Sequence, residues 1–352
     1  MITLKNLSEM TGYSITTISR VLNNDKTLRA SDKTKEIIKT IAKSTGYKTI
    51  QAKKNKLKTK SNLIKKIYIG IAESFNMEEY IKDPYYMYLK EFVEQECLKK
   101  KVEVIKLQYN EKKEIYSLFP NKKISGIITI GSFTENKIKA IRKITENIVF
   151  LDSALKNGKY SSVIVDLELG IKRGIDYLLE CGHKKIFFVG PKTAPNALNR
   201  EEPEIKREAF IKYAKEKNIE DFIKIIDCER STENAYDMVI NFINKSNQLP
   251  TAFVTVNESV TLGVLNALNK CNIKVPEDVS ILNYNNTVYS AFVNPPLSSI
   301  SINSEYMSKI AVDLVIRQFE SKEYYPIQIS VFPEILERKS VKNISTQNWK
   351  EL

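Results

Sequence analysis

The stretch Gly12-Tyr13-Ser14-Ile15-Thr16-Thr17-Ile18-Ser19-Arg20-Val21-Leu22-Asn23 opens on a glycine break followed by a serine. Ser14 is placed to cap a helix over residues 15–22, because its hydroxyl can accept an orphan N–H of the first turn. On that helix Ile18, Val21 and Leu22 share one face. Thr16 and Arg20 point the opposite way, one turn apart, since successive residues rotate by about 100°. Thr17 and Ser19 flank them, and Ile15 sits at the N-terminal edge. Such a face, at the start of a short helix, suits a DNA major groove. Arg can make a bidentate bond to guanine, and Thr and Ile methyls can touch thymine. Ser and Thr hydroxyls and the helix N-terminus can hold phosphates. The same spacing also fits a plain amphipathic helix pair with a polar surface.

Working outward, Thr3 can cap a helix over residues 4–10, with Leu4, Leu7 and Met10 as its inner stripe. Ser31 can cap a third over residues 32–44, with Ile37, Ile38 and Ile41 inside and Gly46 placed to end it. Residues 48–66 are dense in lysine and show no core periodicity, which marks a linker. Of the 352 residues, 1–66 carry 16 Lys plus Arg against 4 Asp plus Glu, while 67–352 carry 39 against 38. A basic head on a neutral body points to a polyanionic partner, nucleic acid or an anionic membrane surface.

Several function classes fall away. No run of about 18 apolar residues could span a bilayer, and no secretory h-region opens the chain. Cys97, Cys181, Cys228 and Cys271 are widely spaced, without CxxC, as a reducing cytoplasm leads one to expect. No metal-ligand cluster, P-loop or GxGxxG is present, and His183 is the one histidine. Acid–base or nucleophilic enzymes that need a histidine pair are excluded.

Beyond residue 66, short apolar runs alternate with amphipathic stretches. Strands are expected at 67–72, 102–107, 126–130 and 148–151, with a helix over 85–99. A second series follows at 185–189, 223–226, 252–256 and 279–284, with helices near 203–217, 232–246 and 258–271. That rhythm predicts two sequential parallel-sheet lobes. Ligands in such sheets bind outside the carboxyl ends of the strands. Glu73, Gly131, Asp152, Gly190, Asn257 and Asn285 stand there. A carboxylate and amides suit a hydroxyl-rich ligand, because each donates or accepts in a fixed direction. The same residues could instead cap the helices that follow.

The run from Leu4-Lys5-Asn6-Leu7 through Gly12 to Asn23, with Gly46-Tyr47, resembles the head of the lactose/galactose-repressor family of bacterial transcription factors. The resemblance continues through nearly the whole chain. It implies that Ile15 and Thr16 choose bases with Arg20, and that Thr3, Ser14, Thr17, Ser19 and Asn23 hold backbone phosphates. It puts Tyr47 near the minor groove. The family's hinge usually reads Arg-Pro-Asn and then Ala-Arg-x-Leu, its leucine wedging into the minor groove. Here the proline is absent and Leu57, the candidate wedge, lies five residues after Ala52 rather than three.

In the body, Phe150-Leu151-Asp152 resembles the family's strand-end aspartate of sugar sites. Asn257-Glu258-Ser259-Val260-Thr261-Leu262-Gly263 resembles N-D-x-x-A-x-G, with Glu258 in place of Asp. Tyr284-Asn285-Asn286 resembles G-(F/Y)-D-(D/N), with Asn285 at the ligand aspartate. Against R-x-x-G-F the chain reads Lys206-Arg207-Glu208-Ala209-Phe210, so either Lys206 or Arg207 does the arginine's work. Gly182-His183-Lys184-Lys185 resembles G-H-x-x-I and implies a structural His183. Tyr47-Lys48-Thr49, Asp83-Pro84-Tyr85-Tyr86 and Pro295-Pro296-Leu297-Ser298-Ser299-Ile300 resemble the β-galactosidase-operon repressors of the family, that of the evolved β-galactosidase operon among them.

The expected protein is an all-α helix-turn-helix head (1–47), a basic hinge (48–66), a two-lobe α/β periplasmic-binding-protein-like body (67–340) and a tail (341–352). It would repress a sugar operon as a cytoplasmic homodimer on double-stranded operator DNA. A small sugar, galactoside by resemblance, would release it, held by Glu73, Tyr85, Asp152, Lys206 or Arg207, Asn257 and Asn285. No enzyme activity, cofactor, metal or membrane is expected. The alternatives are a sugar-binding protein without DNA regulation, and a family member with a different effector or a co-repressor.

Overall fold

The computed structural model describes residues 2–23, 25, 27–47, 66–75, 83–246, 248–321 and 324–345. The chain divides into two compact units, Met1–Lys66 and Ile67–Leu352. Leu57 and most of the lysine-rich linker lie outside the described residues.

The first unit holds α1 (Leu4–Thr11), α2 (Ile15–Leu22) and α3 (Asp32–Ser44). Each begins at the expected hydroxyl. Thr3, Ser14 and Ser31 accept the N–H of Asn6, Thr17 and Thr34, each at 3.2 Å. The Asn6 side chain returns the favour to the Thr3 N–H at 3.0 Å. Gly12 ends α1 at φ +73°, a left-handed turn that a β-carbon would strain. Leu7, Ile18, Val21, Ile38 and Ala42 form the core, with Leu4, Leu22, Ile41 and Tyr47 half-buried around it. Two inner-stripe expectations are corrected: Met10 is 56% and Ile37 36% exposed. The Ile38–Ala42 pair, four residues apart, carries α3's inner face instead.

Among the described residues the second unit has β1 (Tyr68–Glu73), α4 (Tyr85–Lys99), β2 (Glu103–Asn110), β3 (Ile115–Phe119), β4 (Gly126–Ile130), α5 (Glu135–Arg142), β5 (Ile148–Leu151) and β6 (Ser161–Val165). Then come α6 (Leu167–Glu180), β7 (Ile186–Gly190), a hairpin of β8 (Thr193–Pro195) and β9 (Glu201–Pro203), α7 (Ile205–Glu216) and β10 (Lys224–Asp227). After these follow α8 (Thr232–Lys245), β11 (Ala252–Thr255), α9 (Glu258–Lys270), β12 (Ser280–Asn285), α10 (Tyr289–Phe292) and β13 (Ser298–Ser301). Last are α11 (Ser304–Ser321), β14 (Gln328–Val331) and β15 (Glu334–Leu336).

One sheet runs β14-β6-β5-β4-β1-β2-β3 and the other β10-β7-β11-β12-β13-β15. Both are parallel except at the edges, where β3 and β15 pair antiparallel. Central strands β4, β5, β7 and β11 are buried along their whole length, which is why they read as unbroken apolar runs.

The two lobes are not strictly sequential. After β13 the chain returns to the first sheet: α11 packs on α4 and on β4, β5 and β6, and β14 pairs with β6. Asn147 fixes that return by donating to the Val315 carbonyl at 2.8 Å and the Ser125 carbonyl at 3.0 Å. Residues 341–345 dock on the end of α6, where Ile344 N–H donates to Cys181 at 2.8 Å and His183 Nε2 to the Lys342 carbonyl at 2.9 Å.

Candidate functional site

Two surfaces concentrate the residues chosen from sequence. On the head, α2 leaves Ile15 45% exposed and presents Thr16, Arg20 and Asn23 to solvent, with Ser14 and Thr3 also exposed. Thr17, Ser19 and Tyr47 are half-buried. Ser14 spends its hydroxyl inside the head, on the Thr17 N–H and the hydroxyls of Thr16 (3.0 Å) and Thr17 (2.8 Å). Arg20 Nε donates to Asp25 Oδ2 at 2.7 Å, and its Nη2 to Thr27 Oγ1 at 2.7 Å.

In the body, a cavity of about 310 Å³ lies at the carboxyl ends of the central strands of both sheets. Tyr85, Asp152, Lys206, Asn257 and Asn285 line it, as does Gly131. Glu73 and Arg207 do not, and Gly190 does not. Glu73 is taken by Lys90 of α4 at 2.8 Å. Arg207 pairs away from the cavity, with Glu208 at 3.0 Å and Asp227 at 3.5 Å.

The wall is built from caps and ion pairs. Asn257 caps α9, accepting from Val260 N–H at 3.1 Å, and its amide donates across the cleft to Asp83 at 2.8 Å. Glu204 caps α7 and is buried; Arg230 donates to its second oxygen. Burial pushes the Glu204 carboxyl up, but Lys206 and Arg230 outweigh it and leave it below the ordinary value. Lys206 Nζ donates to the Val256 carbonyl at 2.8 Å and stands 4.4 Å from the Tyr284 ring centroid. Burial pushes its ammonium down, against the pull of Glu204, Asp83 and Asp152. Asp152 is pushed up to about 6, by burial first and by Asp83, while Tyr85, Lys206 and Arg230 hold it down. The site therefore offers a titrating carboxylate and amide groups around a space large enough for a small ligand.

Sequence reasoning missed Arg230, Glu204 and the β8–β9 hairpin. Arg230 stands three residues past β10, so the strand-end rule pointed near it. The hairpin adds Asn196 and Glu202 to the cavity lining. It is tied to the first lobe by the Phe133 N–H to the Ala197 carbonyl (2.9 Å), Lys156 to Glu202 (2.8 Å) and Arg200 to Glu135 (2.7 Å). Among the described residues, no group of three or more His, Cys, Asp and Glu is placed to hold a metal.

Residues 175–341 match the model of a periplasmic binding protein-like domain. The HTH-type transcriptional regulator GanR of Bacillus subtilis (strain 168) is 32% identical over 97% of this chain and all of its own length. The chain belongs to the lactose/galactose-repressor family. It is a transcriptional regulator, not an enzyme. Solved structures share the fold. The lac repressor dimer bound to operator and the anti-inducer ONPF matches 97% of this chain and 99% of its own, at TM-score 0.61 and 19% identity. A LacI family regulator from Arthrobacter sp. FB24 in complex with lactose matches 79% and 100%, at TM-score 0.64 and 16% identity.

Three departures from the family pattern now have physical readings. Lys206, in the register of the family's arginine, reaches the cavity; Arg207, rotated by about 100°, cannot. Glu258, where the family has Asp, stays out of the cavity. It is buried, and its Oε1 accepts from Thr287 N–H (2.5 Å), Ser290 (3.0 Å) and Asn283 (3.4 Å), fastening the loop after β12. Asn285 lines the cavity at φ +94°, buried and uncharged, so the wall's charge rests on other acids such as Asp152.

Proposed function

We propose that this regulator is a sugar-responsive repressor. Its 1–47 head binds double-stranded operator DNA as a helix-turn-helix, paired in a homodimer, and its body holds a small sugar, a β-galactoside by preference. One observation carries the reading: α2 offers Ile15, Thr16 and Arg20 to solvent, while the strand ends of the body wall a polar cavity with Asp152, Asn257 and Asn285.

A single short helix makes too few base contacts for specificity, so two heads on a two-fold site follow from the physics. In the cavity, the Asp152 carboxylate accepts sugar hydroxyls, and the amides of Asn257 and Asn285 both donate and accept. The cavity joins both lobes, so a sugar that prefers one lobe arrangement shifts the body between states. Residues 48–66, with Leu57, would relay that shift to the head and lose their grip on phosphates when the sugar is bound. The lac repressor dimer solved with operator, and the family member solved with lactose, support this division of labour. Action in the cytoplasm follows from the DNA partner; among the described residues no helix is long and apolar enough to cross a membrane.

The test is a gel shift with palindromic and random duplexes, with and without lactose. A palindrome should be preferred, and lactose should weaken that complex about tenfold or more. Equal binding to all duplexes contradicts the repressor reading; a preference that lactose leaves untouched contradicts the galactoside.

A further inference from the structure

We propose that Asp25 is a positioning residue that sets the sequence specificity of the head by holding the Arg20 guanidinium in one orientation. The inference rests on the reading of α2 as the DNA-contacting helix. The Arg20 side chain is 44% exposed, and the hydrogen bonds of its guanidinium run to the loop after α2. An arginine left free there would lose side-chain rotamer entropy on binding a base.

The clamp is specific in its geometry. Asp25 Oδ2 takes Nε at 2.7 Å, and Thr27 Oγ1 takes Nη2 at 2.7 Å. Asp25 is itself fixed, because its Oδ1 accepts both the N–H (2.8 Å) and the hydroxyl (2.7 Å) of Thr27. The Asp25 N–H returns to the Arg20 carbonyl at 3.0 Å, so the loop after α2 is tied to the residue it holds. Three side chains close a ring. A guanidinium has five N–H groups in a rigid fork, and the clamp leaves three of them, including both on Nη1, for a base edge. Arg20 keeps Asp25 down to about 2, so the clamp stays charged at working pH.

A carboxylate at this place is costly for plain affinity. Residues 1–66 contain four acids, Glu9, Asp25, Asp32 and Glu36. One of them lies beside the residue proposed to meet a polyanion, where it repels phosphates at every sequence. Orienting Arg20 offsets that repulsion only at a site with the right base, so Asp25 trades general affinity for discrimination.

The experiment uses the full chain and a palindromic duplex that it selects from a random library. Five proteins are compared: wild type, Asp25→Ala, Asp25→Asn, Arg20→Ala and the Asp25→Ala, Arg20→Ala double variant. Binding to the selected and a random duplex is measured with all single-base changes of the half-site. Asp25→Ala should weaken the selected site about tenfold, hold or raise affinity for random DNA, and flatten preference at the base pair that Arg20→Ala also blurs. In the Arg20→Ala background, Asp25→Ala should change the selected site less than twofold. Asp25→Asn, which keeps an acceptor for Nε, should fall between. Thermal melting should be unchanged, because an exposed pair holds little stability.

A uniform gain on every duplex would show that Asp25 only repels phosphate, and overturns the inference. So would an equal loss with and without Arg20, which marks a role in folding. A wild-type chain that selects no duplex overturns the DNA reading and this inference with it.

Discussion

Arg20 in the head and Arg230 in the body each pair with a carboxylate, Asp25 and Glu204. The first pair is 44% and 32% exposed, the second 31% and 2%. The exposed pair can be shared with a ligand at little cost, whereas the buried one cannot be opened without stranding a charge. The contrast extends to whole units. The head is strongly basic, with a core of Leu7, Ile18, Val21, Ile38 and Ala42; the body is nearly neutral, with its charges paired around a cavity. The head is built to lend its charge outward, and the body to keep its charge in.

Salt should separate the two units most strongly. Raising it from 50 to 200 mM should weaken duplex binding by about 10³-fold, as phosphate contacts give up released counterions. Lactose binding should change less than twofold over the same range. Parallel titrations by fluorescence anisotropy and calorimetry check both; an equal response in both would erase the distinction.

Matched core truncations come next. Leu7→Ala and Leu268→Ala each remove a fully buried leucine, at about 2–5 kcal/mol apiece. A small head has little stability to spare. Leu7→Ala should abolish DNA binding and its own melting transition while sugar binding survives. Leu268→Ala should lower the body's transition without unfolding it. Scanning calorimetry reads both, and loss of sugar binding in Leu7→Ala would mean that the two units do not fold separately.

The buried pair gives a third test. Arg230→Met leaves Glu204 buried beside Lys206 alone and should destabilise the body by roughly 3 kcal/mol. Adding Glu204→Gln should restore much of it. If the single variant melts like wild type, the pair is not a structural part of the wall.

The smallest effect is the pH response of the cavity. Asp152 titrates at about 6, above the 3.8 of an ordinary aspartate. The folded site holds a proton more tightly than the unfolded chain. This group's contribution is therefore most favourable in acid and is lost as pH rises from about 4 through 6. The ionised carboxylate is the stronger acceptor for a sugar hydroxyl, so lactose affinity should rise, by up to about tenfold, from pH 5 to 7. Asp152→Asn should flatten the curve, and a wild-type curve that is already flat would remove Asp152 from the ligand.

Much of this was legible in sequence for local reasons. Thr3, Ser14 and Ser31 announce helix starts because a hydroxyl satisfies an N–H three residues on, whatever surrounds it. Fully buried strands such as β4 and β5 announce themselves as apolar runs, and strand ends led to Asp152, Asn257 and Asn285. What stayed hidden depends on distant partners. Nothing local says that α11 and β14 return to the first sheet. Nor does anything local say that Lys90 takes Glu73, or that Arg230 reaches Glu204 across 26 residues. The Lys206-or-Arg207 choice needed the helix phase, which only the packing of Ala209 and Phe210 fixes.

On the proposed function, the head and the cavity are coupled through the chain that joins them. The most direct measurement is the lactose affinity of the full chain by calorimetry, alone and saturated with its selected operator. Reciprocity requires operator to weaken lactose binding by the same factor, about tenfold or more, by which lactose weakens operator binding. One unchanged lactose affinity, with and without DNA, would show two independent modules that merely share a polypeptide.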